Sequence, residues 1–175
     1  MGLSRRVAVM AMLALIGTTG AAAHVKQGDP APQFAVSLFD KQKITSDQLR
    51  GQVVIINRWA TWCGPCKKEL PELDTYYRQH AKDGLRVFAV TTEDSLPDYA
   101  LKPLSAVLAF PLAHRVTGST FDIMDAVPTN YVIDRRGVVR YAKAGAFDAE
   151  TLEAVVGPLL AEPAPAPAQV VAAAQ

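Results

Sequence analysis

Cys63 and Cys66 are the only cysteines of the chain, two residues apart in Trp62-Cys63-Gly64-Pro65-Cys66. An apolar run, Val53-Val54-Ile55-Ile56, precedes them and a helical pattern over 67–80 follows. Two thiols with this spacing at a strand-to-helix junction form a redox-motif pattern. At a helix N-terminus, residues three apart share one face, so the two sulfurs can bond. Cys63 falls where helix N–H groups are unpaired and the dipole is positive, which favours a thiolate. Thiolate is the nucleophile of disulfide exchange. Cys66, one turn deeper, is placed to resolve the mixed disulfide that Cys63 makes. Pro65 is tolerated because a first-turn residue has no N–H bond to lose.

Other uses of two cysteines fit less well. A purely structural disulfide would close so short a loop that it removes little chain entropy. A zinc site needs about four ligands. Only His24, His80 and His114 could join the cysteines, and none has ligand spacing. Covalent haem attachment wants histidine directly after the second cysteine; Lys67 stands there.

Asn57-Arg58-Trp59-Ala60-Thr61-Trp62-Cys63-Gly64-Pro65-Cys66 resembles the active-site segment of thioredoxin-fold proteins. More narrowly, it resembles the exported TlpA/ResA/DsbE-like thiol:disulfide oxidoreductases, with similarity over about 32–160. The resemblance implies an α/β thioredoxin fold: a central mixed sheet flanked by helices, with an insertion, here 95–126, before a cis-proline loop. It also implies roles for residues outside the motif. Val127-Pro128 matches the cis-proline loop, which would leave the Val127 backbone free to pair with an extended substrate chain. Without the resemblance, a proline starting an edge strand is the better reading. Glu69 occupies the place of an acidic residue that moves protons during exchange; a solvated helix charge paired with a lysine is the alternative. Asn57 takes the position where cytoplasmic thioredoxins carry a buried aspartate, which puts more weight on Glu69. Gly145 resembles the glycine that lets a partner approach closely, or else serves only the turn into the last helix. Trp59 and Trp62 read as a packed and an exposed aromatic, Trp62 as part of the partner surface or of the core.

The elements that must hold these groups follow from pattern. The chain of 175 residues is one ordinary domain, and its formal charge of +1 implies no strong pull toward nucleic acid or an anionic membrane. Arg5 and Arg6, an apolar run over 7–16 and Ala21-Ala22-Ala23 read as a secretory signal at 1–23, cleaved after Ala23. A retained membrane anchor is the alternative; the run is short for a bilayer. The expected domain spans 24–160, and 161–175 is Ala/Pro-rich and expected to be disordered. Alternation predicts a strand around Phe34, Val36 and Leu38. A short helix within 41–50, capped by Thr45 or Ser46, comes next. A buried strand is expected at 53–57, a helix from Cys63 kinked at Pro71, and a strand at 85–90. The stretch 95–108 reads as two short helical pieces split at Pro103, 110–113 as a weak strand, and 116–126 as a loop with a short helix. A hairpin turns at Asp134-Arg135-Arg136-Gly137, and Asp148 caps a last helix at 149–160. The histidines read as surface residues.

Together these readings give an exported, periplasmic thiol:disulfide oxidoreductase that reduces protein disulfides without a cofactor or metal. Cys63 attacks, Cys66 resolves, and Glu69 handles protons. Trp62, Val127, Pro128 and Gly145 would meet the substrate. The resemblance implies apocytochrome c or a copper-site protein as substrate and a membrane thiol donor as electron source; a monomer is expected, and from the charge no nucleic-acid partner. A Cu(I)-binding assembly chaperone using the same thiolates is the alternative, since soft thiolates suit Cu(I). A peroxidase is a third reading, but no cysteine sits in the strand-loop position such enzymes use.

Overall fold

In the computed structural model, which describes residues 24–118 and 120–165, the β-branched run at Val53 becomes an interior strand of a sheet. The expected signal segment and the tail beyond 165 lie outside the described residues. The strands are β1 (Ala35–Leu38), β2 (Lys43–Thr45), β3 (Val53–Trp59), β4 (Leu85–Thr91), β5 (Leu112–Thr117), β6 (Thr129–Ile133) and β7 (Val139–Ala144). Helices α1 (Gly64–His80), α2 (Asp98–Val107) and α3 (Ala149–Ala161), with short 3-10 turns at Ser46–Leu49, where Thr45 is the N-cap, and Ala81–Asp83, complete the set. Among the described residues the strands form one mixed sheet in the order β2-β1-β5-β4-β3-β6-β7. β3 pairs parallel with β4 and antiparallel with β6, and β4 pairs parallel with β5. This is the thioredoxin-type α/β architecture, with α2 and β5 as the insertion ahead of the Pro128 loop.

Side chains of β3 alternate between two apolar layers. Val53, Ile55 and Trp59 pack with Leu70 and Leu73 of α1 and Leu152 and Val156 of α3. Val54 and Ile56 pack on the other face with Val36, Phe88, Phe121 and Tyr131. Burying each such side chain contributes roughly 1.5–3 kcal/mol relative to leaving it in water. The strand is covered on both faces, which is why it reads as a continuous apolar run.

Four local expectations differ from the structure. β2 is a strand that a three-residue segment is too short to announce by alternation. The expected two-piece helix is a single α2, which runs through Pro103. Pro103 and Tyr99 are both exposed, so water can reach the carbonyl that loses its partner. Pro71, as expected, lies inside the single helix α1, with Pro71 and Lys67 both exposed. The weak strand expected at 110–113 is displaced and longer, because β5 is fixed by antiparallel pairing with β1 from Ala35↔Thr117 onward. No helix forms among the described residues of 116–126. That backbone is held from β6: Tyr131 Oη donates to the Asp122 carbonyl at 2.7 Å, and Thr129 Oγ1 to the Ala126 carbonyl at 2.6 Å.

Candidate active site

β3 delivers the chain to the end of the sheet, and α1 starts five residues after Trp59 with Cys63 as its N-cap. Cys63 and Cys66 form a disulfide with a Cα–Cα distance of 5.3 Å. The Cys66 N–H donates to Cys63 Sγ at 3.1 Å, so a free N–H of the first turn points at this sulfur. Cys66 is fully buried and Cys63 is 3% exposed, so Cys63 is the more accessible of the two. Lys67 and Lys68 both face solvent. The loop before Cys63 is tied down by Glu93, whose carboxylate accepts from Thr61 N at 2.6 Å and Thr61 Oγ1 at 2.9 Å.

Facing the disulfide is the Val127–Pro128 peptide bond, which is cis. The Val127 carbonyl oxygen lies 3.5 Å from Cys63 Sγ; in the disulfide this sulfur carries no proton, so the contact is close packing. The Gly145 N–H donates to the Pro128 carbonyl at 2.8 Å, joining the two loops. Gly145 is exposed, at φ 121°, with no atom within 4 Å of where a Cβ would stand. Only glycine adopts that backbone easily, and it leaves the approach open. Trp62, beside Cys63, is 70% exposed, while Trp59 is packed in the core.

Glu69 is buried rather than solvated, at 1% exposure. One turn beyond Cys66 on α1, its Oε2 accepts from Asn57 Nδ2 at 2.7 Å. Its Oε1 accepts from Asn130 Nδ2 at 2.5 Å and from the Phe147 N–H at 2.7 Å. Burial holds this carboxyl above the usual carboxylate range, against the pull of the three donors. Burial, and then the charge of Glu69, also push up the Tyr141 phenol on β7.

Two groups in this network escaped sequence reasoning. The Phe147 N–H carries no sequence signal. Asn130 does: it is an amide in the middle of β6, whose residues are all buried, and a buried amide demands partners. Asn57 Nδ2 also donates to Asn130 Oδ1 at 2.8 Å, so β3, β6 and α1 meet at one carboxylate. Of the histidines, His24 is exposed, His80 pairs with Asp83 at 3.1 Å and His114 with Asp98 at 2.8 Å.

Residues 27–142 match the AhpC/TSA family. The chain is 32% identical over 132 residues to the thiol-disulfide oxidoreductase ResA of Bacillus thuringiensis, covering 72% of this chain and 74% of that protein. It is 31% identical over 140 residues to the thiol:disulfide interchange protein DsbE of Allochromatium vinosum, covering 75% of this chain and 74% of that one. A solved structure from Chlorobium tepidum, assigned as a thiol:disulfide interchange protein DsbE, superimposes with a TM-score of 0.66 at 28% identity. That match covers 78% of this chain and 99% of the other.

Proposed function

The chain belongs to the AhpC/TSA family, close to the ResA- and DsbE-type thiol-disulfide oxidoreductases of the thioredoxin superfamily, and on that premise we propose that it is an exported reductant of protein disulfides. The observation that carries this reading is the asymmetric disulfide at the α1 N-terminus. Cys63 lies at the positive end of the helix, opposite the Val127 carbonyl; Cys66 is sealed behind it, one turn from a buried carboxyl.

In the reduced protein the Cys63 thiolate attacks one sulfur of a substrate disulfide. A Cys63–substrate bond forms, the substrate S–S bond breaks, and the departing thiolate takes a proton. Cys66 then loses its proton, attacks Cys63 Sγ and expels the second substrate thiol. Two electrons have passed to the substrate, and the protein is left with the Cys63–Cys66 disulfide of this structure. Glu69 would accept the Cys66 proton: burial raises its pKa above the ordinary carboxylate value, which makes it a stronger base than a solvated carboxylate. Trp62, Val127, Pro128 and Gly145 form the face an extended substrate chain would meet. A membrane thiol donor would restore the dithiol, as an oxidising compartment requires.

The substrates that suit this reading are the haem-binding thiols of apocytochrome c or the cysteines of a copper-site protein. Kinship with ResA- and DsbE-type proteins supports the first. The test compares rates at which the reduced mature protein reduces a disulfide-bonded Cys-x-x-Cys-His peptide and a disulfide-bonded copper-site protein. Faster turnover of the peptide supports cytochrome maturation; reduction of neither removes the reductant reading. Titrating Cu(I) into the reduced protein separates the reductant from a Cu(I)-holding chaperone.

A further inference from the structure

Asn130 connects two parts of the site that the mechanism treats separately. Its single side-chain nitrogen donates to Glu69 Oε1 at 2.5 Å and to the Gly145 carbonyl at 3.0 Å. The Gly145 N–H in turn holds the Pro128 carbonyl at 2.8 Å, and Val127, the residue before it, lies 3.5 Å from Cys63 Sγ through its own carbonyl. The Phe147 N–H, two residues past Gly145, donates to the same Glu69 oxygen at 2.7 Å. An unbroken series of short contacts thus runs from the attacking sulfur, through both loops that would meet a substrate, to the buried carboxyl behind the resolving cysteine.

We propose that Asn130 is a positioning residue that couples these loops to Glu69, so that docking of an extended substrate chain on Val127 and Gly145 changes how the carboxyl is hydrogen-bonded. The proposal rests on the reading of Glu69 as the proton acceptor for Cys66. Its physical basis is competition. A chain pairing with the backbone at Val127 and Gly145 draws on carbonyls and N–H groups that now hold the loops together. If the Gly145 carbonyl moves, the amide nitrogen that bridges it to Glu69 must move or release one partner. Every donor lost to a buried carboxylate favours its protonated form. Binding would then bias the carboxyl when Cys66 must give up its proton. The titratable group that senses this carboxyl is Tyr141 on β7, and Cys66, a thiol once reduced, stands three residues before it on α1; Asn57 from β3 and Asn130 from β6 are neutral.

The test is a ¹³C NMR titration of the Glu69 side-chain carboxyl in the Cys66→Ser protein. Cys63 is capped either by mercaptoethanol or by an alanine-rich decapeptide with one central cysteine. The expected result is a Glu69 midpoint that differs between the two caps. Asn130→Ala should raise the midpoint by about one pH unit, the order of one charge-assisted hydrogen bond, and abolish the difference between caps. Should Asn130→Ala fold poorly, the isosteric Asn130→Asp places a second carboxyl against Glu69 and should raise the midpoint further. A midpoint unmoved by either substitution, or a cap-dependent difference that survives them, overturns the proposal. Failure of the underlying reading shows elsewhere: Glu69→Gln would then leave the pH dependence of Cys63 alkylation unchanged.

Discussion

Each cysteine's role rests on its surroundings. Cys63 is the N-cap of α1 and is slightly exposed, and Cys66 is fully buried. Cys66→Ser should therefore accumulate mixed disulfides on gel electrophoresis without reductant, and Cys63→Ser should trap none. The opposite result reverses the roles. Glu69 gives a second residue-scale expectation, in stability. Its folded pKa lies above the ordinary carboxylate value of 4.5, so the folded protein binds this proton more tightly than the unfolded chain. Its contribution to stability is complete below the unfolded pKa and is lost as pH rises through the folded one. Urea denaturation at a series of pH values should show that loss in the wild type, and Glu69→Gln should flatten it. The sequence placed Glu69 on the Cys66 face of a helix but left its burial open. Burial depends on Asn57, Asn130 and Phe147, which come from three other parts of the chain.

Elements were legible where local pattern sufficed. The β3 run, the stripe of α1 and the Asp148 cap, whose carboxylate accepts from Thr151 N at 2.8 Å, all announce themselves. What stayed hidden is set by distant partners: β2 exists through its pairing with β1, and β5 takes its register from β1 and β4. Helix α2 survives Pro103 because its exposed side tolerates a lost hydrogen bond. Arg135 shows how far such non-local ties reach. It read only as a turn residue, yet it is buried and donates to the carbonyls of Gly51 at 2.9 Å, Asp83 at 2.7 Å and Leu160 at 3.0 Å. It thereby pins the approach to β3, the segment after α1 and the last turn of α3. Arg135→Met should lower stability by about 3 kcal/mol, the order of one or two hydrogen bonds to a charged group. The potential of the distant disulfide should stay unchanged. Equal loss of stability and shift in potential would mean that Arg135 reaches the site.

At the scale of the whole molecule, the question is which way electrons flow. The fold permits reduction, oxidation or isomerisation, and the balance turns on how well the site stabilises the Cys63 thiolate against the disulfide. The α1 N-terminus and the Cys66 N–H favour the thiolate. Little else does. Gly64-Pro65 places no histidine between the sulfurs. Lys67 and Lys68 point into solvent, where screening weakens them, and Asn57 and Glu69 bring no positive charge. A strong oxidant needs an exceptionally stable reduced form, and this site is not built for one. The expected potential is nearer thioredoxin's, roughly −270 mV, than the strong oxidant's at roughly −120 mV, a gap of about 7 kcal/mol for two electrons. Equilibrating the purified protein against graded thiol/disulfide buffers, read by the fluorescence of Trp59 and Trp62, measures it directly. A value near −270 mV is the expected result, and one above roughly −180 mV, the isomerase range, would contradict a reductant.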